Sequence, residues 1–365
     1  MSEPRRSTGW EAARVPVICE ACDWRYWAAA GQVPERCPHC AASTVVEMSA
    51  NAAGFPYEAS PELAVPFAVS EAILTRRVES FADGIPLPPD DLSFDVLKGR
   101  LRKLYLPMWL VDSNVQAQWQ AEMGFDYEVV SHQERYADGA GWRTAEVRET
   151  RVRWEPRVGQ LTRHYDNVSA PALTAHRDLA RVLGEHDRRA AVAFSAAALG
   201  DVLVRAPDRS PEAAWPEAEM GVRRRAMAEC QTAAGADHVR EFRWAPSYDG
   251  ATWTLLLLPV YATYYLDDDG DARQVLINGQ TGQLTGARRG SLARAHRRSL
   301  IIGIVALVLL LLSIALGLAG LLFPPLVVVA VLGALLAVAI GAGAIVPTAR
   351  VVIFNRRQRD SVPAA

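Results

Sequence analysis

The chain has 365 residues, a formal net charge of −2 and a hydrophobic content of 50%. This length predicts two or three folding units at about 100–200 residues each. The nearly balanced charge argues against a strongly basic nucleic-acid-binding protein. Apolar residues are concentrated in the last fifth of the chain, and the remainder has the composition of a soluble protein with a polar surface.

The N-terminal segment is polar, and we predict a disordered tail over residues 1–14. It lacks the apolar stretch of a signal peptide, so we expect the large domain to stay on the side of the membrane where it is made. Five cysteines are present, four of them in one cluster and Cys230 alone. An odd number with a repeated CxxC pair favours a reducing compartment over a disulfide framework.

Two CxxC pairs separated by fourteen residues predict a zinc ribbon over residues 15–45. The expected ligands are Cys19, Cys22, Cys37 and Cys40. Two such turns supply a tetrahedral shell of four thiolates, which one structural Zn²⁺ accepts in closed sites. Iron or a redox-active dithiol is the alternative, and the filled shell argues against a catalytic thiol. We interpret His39 as a solvent-facing spacer and not as an additional ligand.

Composition predicts a linker over residues 46–64 and a β-rich domain over residues 65–286, with a helical insert at about 171–240. Ser70 is the expected N-cap of a short helix. Period-two alternation predicts an antiparallel meander with one buried face, its strands separated by turns such as Asp138-Gly139. The expected strands cover residues 104–122, 127–130, 144–154, 159–165, 241–244, 251–266 and 273–277. The predicted fold class is therefore α+β.

Two short segments suggest a faint internal repeat, residues 106–109 (LPMW) and residues 258–261 (LPVY). Two other segments are set aside. Residues 176–179 (HRDL) imitate a kinase catalytic loop, but Leu183 stands where the metal-binding Asn would be expected. The acidic run at 267–271 lacks the downstream Glu of an EF-hand loop, so we predict a solvated turn there and not a calcium site.

Residues 299–349 contain no Asp, Glu, Lys, Arg or His. As one helix this stretch would measure about 76 Å, more than twice a bilayer core of about 30 Å, so it must break. We place the break at Phe323-Pro324-Pro325 and predict a transmembrane hairpin of two helices. Arginines flank both ends, so the positive-inside rule places both termini in the cytoplasm, with residues 350–365 as a cytoplasmic tail.

The order of these features resembles that of bacterial membrane proteins with an N-terminal TFIIB-type zinc ribbon. The resemblance rests on the CxxC pairs, residues 65–67 (VPF), the two Leu-Pro segments, residues 278–282 (NGQTG) and the C-terminal spans. Some members are labelled as related to the primosomal helicase because of the ribbon. Ala41 departs from the pattern, since ribbons commonly have Gly there. Helicase activity is not implied, because the chain lacks a phosphate-binding loop.

The resemblance implies an integral membrane protein whose relatives are encoded near phage-shock-type and flotillin-like (SPFH) proteins and resemble anchors in envelope-stress assemblies. We therefore predict a non-enzymatic scaffold or adaptor at the inner face of the cell membrane. The alternative is a membrane-tethered nucleic-acid-binding protein that uses the ribbon. That function needs a basic aromatic face, whereas acidic residues dilute Arg14, Arg25 and Arg36. A third possibility, an enzyme of unknown class, would require a pocket with convergent polar groups.

Overall fold

The computed structural model describes residues 14–48, 60–139, 141–195 and 199–361. The predicted disordered tail and most of the predicted linker lie outside the described residues. The fold is mixed α+β, as the sequence predicts, and it is built on one large sheet. The strands are β1 Arg14–Cys19, β2 Arg25–Ala29, β3 Val45–Glu47, β4 Leu63–Ala64, β5 Arg102–Ala137, β6 Gly141–Pro171, β7 Val192–Ala193, β8 Leu203–Arg205, β9 His238–Leu266, β10 Ala272–Asn278 and β11 Leu284–Gly286. The helices are α1 Glu71–Glu79, α2 Phe94–Gly99, α3 His176–Leu183, α4 Pro211–Ala233, α5 Leu292–Ala319, α6 Pro325–Gly343 and α7 Val346–Ser361.

The longest elements of the sheet are β5, β6 and β9. β5 and β6 form a single antiparallel hairpin, and β9 pairs with the other edge of β5. The predicted breaks between the strands at 104–122 and 127–130, and between those at 144–154 and 159–165, are therefore wrong. Glycines within these strands are used for packing: a Cβ on Gly124 would lie 2.7 Å from Val152 Cγ1, and one on Gly159 would lie 2.9 Å from the Trp119 ring. Glycine in a strand often marks such a close approach.

The two Leu-Pro segments lie opposite each other at the centre of the sheet. Leu106 on β5 pairs with Leu258 on β9, and the strands run antiparallel. Phe67 packs edge-on against Tyr105 and Tyr261, with ring centroids 5.1 and 4.9 Å apart. The residues that carry the faint repeat therefore meet in one place.

One face of β5, β6 and β9 is covered by α4. Small buried residues such as Ala214 and Ala218 bring this helix close to the strands. The predicted helical insert is not wholly helical, because residues 192–193 form β7 and residues 203–205 form β8. The composition of the segment favours helix, but pairing with other parts of the sheet overrides that preference.

The ribbon is part of the same sheet. β2 pairs with β8, and β8 runs parallel to β5. A single buried cluster contains Cys19 and Cys37 together with Leu104, Leu203 and Val260. The candidate metal site and the central sheet therefore share one core, which the predicted separation into ribbon, linker and domain did not anticipate.

Two C-terminal helices, Leu292–Ala319 and Pro325–Gln358, are long and apolar enough to cross a membrane. They are separated at the predicted Pro-Pro break, and Pro325 occupies the first helical turn of α6, where its missing N–H costs nothing. Their apolar side chains are exposed, with Leu318 at 64% and Leu332 at 62%, unlike those of a core helix. The first part of the predicted tail at 350–365 is helical, since α7 covers Val346–Ser361.

Small residues pack the two helices against each other. A Cβ on Gly333 would clash with Ser313 Oγ, and one on Gly317 would lie 3.7 Å from Ala330 Cβ. Small side chains at such positions allow close approach of apolar helices.

The base of this helical hairpin is fixed to the sheet domain. The backbone of Gly290 exchanges two hydrogen bonds of 2.8 and 2.9 Å with the Asn355 side chain. The Ala293 amide donates to Asp268 Oδ2 over 2.9 Å, so the acidic turn caps the start of α5. Phe354 of α7 packs against the buried cluster that contains Tyr265. The helices and the sheet therefore meet through specific contacts.

Candidate metal centre

The four predicted ligand sulfurs converge. All four Sγ atoms lie within 4.8 Å of one another. The Cys19–Cys40 pair is 3.6 Å apart and the Cys22–Cys37 pair 3.7 Å apart. A tetrahedron with metal–sulfur distances of about 2.3 Å has edges of about 3.8 Å. The four cysteines could therefore hold a metal ion in a closed shell of four thiolates.

Each CxxC pair is shaped by its own tight turn. The Asp23 amide donates to the Cys19 carbonyl and the Ala41 amide to the Cys37 carbonyl, both over 2.8 Å. Asp23 and Ala41 adopt left-handed backbone, with φ of 57° and 59°. Ala41 therefore makes the turn for which ribbons commonly use Gly, at a cost of about 1–2 kcal/mol.

The thiols have unequal surroundings. Burial raises the pKa of Cys22 and of Cys40. Burial also acts to raise the pKa of Cys19, but hydrogen bonds from the Thr44 hydroxyl and the Ala21 amide lower it to about 7. Only the thiolate binds metal, so metal binding must release protons from the buried thiols.

His39 is not the solvent-facing spacer that the sequence suggests. Its ring stacks on Trp24 with centroids 3.8 Å apart and an interplanar angle of 14°. The Arg205 guanidinium lies 4.7 Å from the centroid of the Trp24 ring. This stack of one cation and two rings joins the second CxxC turn to β8, because Arg205 ends that strand. Burial, followed by the charge of Arg205, lowers the pKa of His39 to about 4.

Two further hydrogen bonds attach the centre to the sheet. Gln274 Nε2 on β10 donates to the Pro38 carbonyl over 2.7 Å. Arg205 Nη1 donates to the Arg25 carbonyl over 3.0 Å. Sequence reasoning missed both side chains, because Arg205 lies in the predicted helical insert and Gln274 in an ordinary strand. No local motif marks either residue.

The acidic turn is not arranged as a cation site. Arg273 Nε donates to Asp267 Oδ2 over 2.6 Å, and its Nη2 lies 3.1 Å from Asp271 Oδ2. Asp268 accepts from the start of α5, as described above. The carboxylates are therefore used for an internal ion pair and a helix cap.

No protein-family model, curated protein or solved structure matches the chain. The class of protein is therefore defined by its fold and its candidate metal site alone. It is a four-cysteine ribbon that could hold a metal ion, built into a large β-sheet domain and followed by two helices that could cross a membrane.

Proposed function

We propose that this protein is a membrane-anchored adaptor that presents a partner-binding β-hairpin from the inner face of the cell membrane. One observation carries the proposal: the far half of the β5–β6 hairpin is exposed on both faces. This segment, residues 126–137 and 141–152, is called the distal arm below. A strand rise of about 3.3 Å per residue gives it a length of about 40 Å.

The distal arm has the surface of an interaction site. β9 pairs with β5 only as far as Gly124, so the arm has two strands alone. Tyr136 and Trp142 form an edge-on pair beside the turn, with centroids 5.5 Å apart, and are 60% and 71% exposed. A two-stranded hairpin is marginally stable in water by itself. A protein partner that covers the arm would stabilise it.

The membrane anchor supports an adaptor more than a transporter. Residues 299–349 carry no charged side chain that could form an ion or proton pathway. Arginines on both flanks favour a cytoplasmic sheet domain and two cytoplasmic termini. Reporter fusions at both ends should score as cytoplasmic, and one external terminus would contradict this topology.

We assign the bound metal as Zn²⁺ with a structural role. The sulfur spacing suits a tetrahedral zinc shell. The shared core ties the ribbon to the sheet, so the metal stabilises the platform from which the arm extends. The resemblance noted above suggests flotillin-like (SPFH) or phage-shock-like proteins as the partners.

The nucleic-acid alternative has less support. Arg14 donates to the Val202 and Gly200 carbonyls, and Arg36 to the Ala41 carbonyl. These two arginines therefore serve the fold, and His39 and Arg205 contact the Trp24 ring. The ribbon consequently offers little of the basic, aromatic face that single-stranded nucleic acid requires.

The test is affinity purification of the full-length protein from membranes. In one variant an Asn-Gly turn replaces residues 126–152, joining the paired residues Phe125 and Arg153. This variant and Trp142→Ser should lose the protein partner. Met220→Ser, which alters a residue 48% exposed on α4, is the matched control and should retain it. An unchanged partner without the arm, or recovery of nucleic acid alone, would contradict the proposal.

A further inference from the structure

A cavity of about 200 Å³ lies between α3 and the centre of the sheet. Leu106, Pro107 and Leu258 line it from the two Leu-Pro segments, and Leu183 lines it from the end of α3. The three leucines are almost fully buried. The inner wall is therefore apolar. The volume is below the range of about 300–1,000 Å³ for drug-sized ligands, so a ligand for this site must be small.

The mouth of the cavity is polar. His176, Glu185, His186 and Arg188 belong to its lining; the imidazoles are half-buried and the other two side chains exposed. His186 Nε2 lies 3.1 Å from the Pro259 carbonyl, which can only accept, so this nitrogen carries the proton. The mouth therefore combines one guanidinium with two imidazoles beside an apolar interior.

The turn at 278–282 holds the mouth in place. Asn278 is fully buried, and its Nδ2 donates to the Leu183 carbonyl over 3.1 Å. Gln280 exchanges two hydrogen bonds with the backbone of Asp187, of 2.7 and 3.1 Å. These contacts fix residues 183–188 over the Leu-Pro segments. The described cavity is thus framed by three segments that supply no ligand to the metal centre.

A positive charge lies beside an imidazole at the mouth. Burial, then the positive charges of Arg188 and Arg209, lower the pKa of His176, and burial lowers that of His186. Both rings are therefore neutral at pH 7 and available for hydrogen bonds. Arg188 is close enough to His176 to act on its pKa, so a guanidinium and a hydrogen-bonding imidazole lie side by side. Arg188 and Glu185, the carboxylate of the lining, are both exposed to solvent.

We propose that this cavity binds a small amphipathic anion, a medium-chain carboxylate. Its alkyl chain lies against Leu106, Leu183 and Leu258, and its carboxylate lies at Arg188 and His176. An arginine fork matches a carboxylate in geometry and charge. The site is separate from the distal arm, so its test does not depend on the adaptor function. Leu106 and Leu183 belong to the same buried cluster as Cys19 and Cys37, so the test is made with metal-loaded protein.

The experiment uses the full-length, metal-loaded protein in lipid nanodiscs, with octanoate carrying a ¹³C-labelled carboxyl group. Saturable binding beyond that of empty nanodiscs is expected by calorimetry and by a shift of the carboxyl resonance. Arg188→Gln should weaken binding at least about tenfold, as expected for loss of a charge-assisted pair. Arg189→Gln is the matched control, since Arg189 is exposed and outside the lining, and it should bind as the wild type does.

A second variant tests the apolar interior. Ala180 lines the cavity from an exposed position on α3, so Ala180→Trp should fill the space, abolish octanoate binding and leave the melting temperature nearly unchanged. Neutral octanamide should bind more weakly than octanoate. The proposal is overturned if the wild type binds no more than empty nanodiscs do. Equal binding by the Arg188 and Arg189 variants, or equal affinity for octanamide, would also overturn it.

Discussion

The two halves of the β5–β6 hairpin share one sequence pattern but have opposite surroundings. In the half that pairs with β9, called the covered half here, Val115 and Met123 are fully buried. In the distal arm, Val130 is 50% exposed. The boundary lies at Gly124, where the connection from α4 to β9 crosses the hairpin and the Asp237 amide donates to the Gly124 carbonyl. Alternating polar and apolar residues predict a strand. Whether one face of that strand is buried depends on a distant segment of the chain.

The largest effect should follow loss of the metal from the ribbon, which shares a buried cluster with the start of β5. Cys37→Ser removes a thiolate that is buried in the same cluster as Leu104 and Val260. We expect zinc to fall from one per chain to none and the free energy of unfolding of the sheet to fall by more than about 4 kcal/mol. Zinc analysis and denaturant unfolding measure these changes.

Cys230→Ser is the control for this change, because Cys230 is buried beside Met123 and Phe242, away from the four-cysteine cluster. It should keep one zinc per chain and destabilise the sheet less. Zinc retained in the Cys37 variant would contradict the ligand assignment. If the Cys37 variant loses zinc but the free energy of unfolding of the sheet is unchanged, the shared core is contradicted.

A pair of tryptophans tests the comparison directly. Trp109 in the covered half is fully buried and packs edge-on against Trp253, with centroids 6.1 Å apart. Trp109→Ala should lower the free energy of unfolding by about 3–5 kcal/mol. Trp142→Ala on the distal arm should change it by no more than about 0.5 kcal/mol. Similar losses in urea unfolding would mean that the arm is packed like the rest of the sheet.

Replacing a buried arginine and an exposed arginine should show the same difference in stability, with a smaller size. Arg205 is buried, donates to the Arg25 and Ala206 carbonyls and contacts the Trp24 ring. Arg205→Lys keeps the charge but loses the planar fork, so we expect a loss of about 2 kcal/mol. Arg143→Lys on the exposed arm should have no measurable effect. If Arg205→Lys also leaves the stability in thermal unfolding unchanged, the stack on Trp24 does not hold the ribbon on the sheet.

The smallest effect is a pH dependence of stability that comes from α3 and the loop after it and not from the distal arm. Burial and the neighbouring arginines lower the pKa of His176, and burial lowers that of His186. Unfolded histidine titrates near 6.5, so the unfolded state binds more protons below that pH and stability must fall as the pH falls. A variant with His176→Gln and His186→Gln should lose part of this decline between pH 7.5 and 5.5. His132→Gln on the arm should follow the wild-type curve, and an unchanged decline in the double variant would contradict the assignment.

Features that depend on neighbouring residues could be predicted from the sequence. The cysteine spacing brings together the four sulfurs because each CxxC turn closes within a few residues. The break at Pro324-Pro325 follows from helix length and proline chemistry. The Ser70 cap is similarly local, since its hydroxyl accepts from the Ile73 amide.

The features that were missed depend on long-range pairing. β8 pairs with β2, which lies roughly 180 residues earlier in the chain. The alanine-rich segment around β8 has no local pattern that predicts a strand. The role of Gly124 depends on Val152 across the hairpin, and the strand is continuous there, where the sequence predicted a break. His39 depends on Arg205 and Trp24 in the same way.

The most direct test of the account is hydrogen exchange on the zinc-loaded, full-length protein in nanodiscs, before and after chelation. Backbone amides of β2, β8, β10 and the covered half should be protected together and lose protection together when zinc is removed. Amides of the distal arm should exchange much faster and change little. If chelation affects residues 14–48 alone, the ribbon is an independent module, and the claim that metal, sheet and membrane base form one platform for an open arm is contradicted.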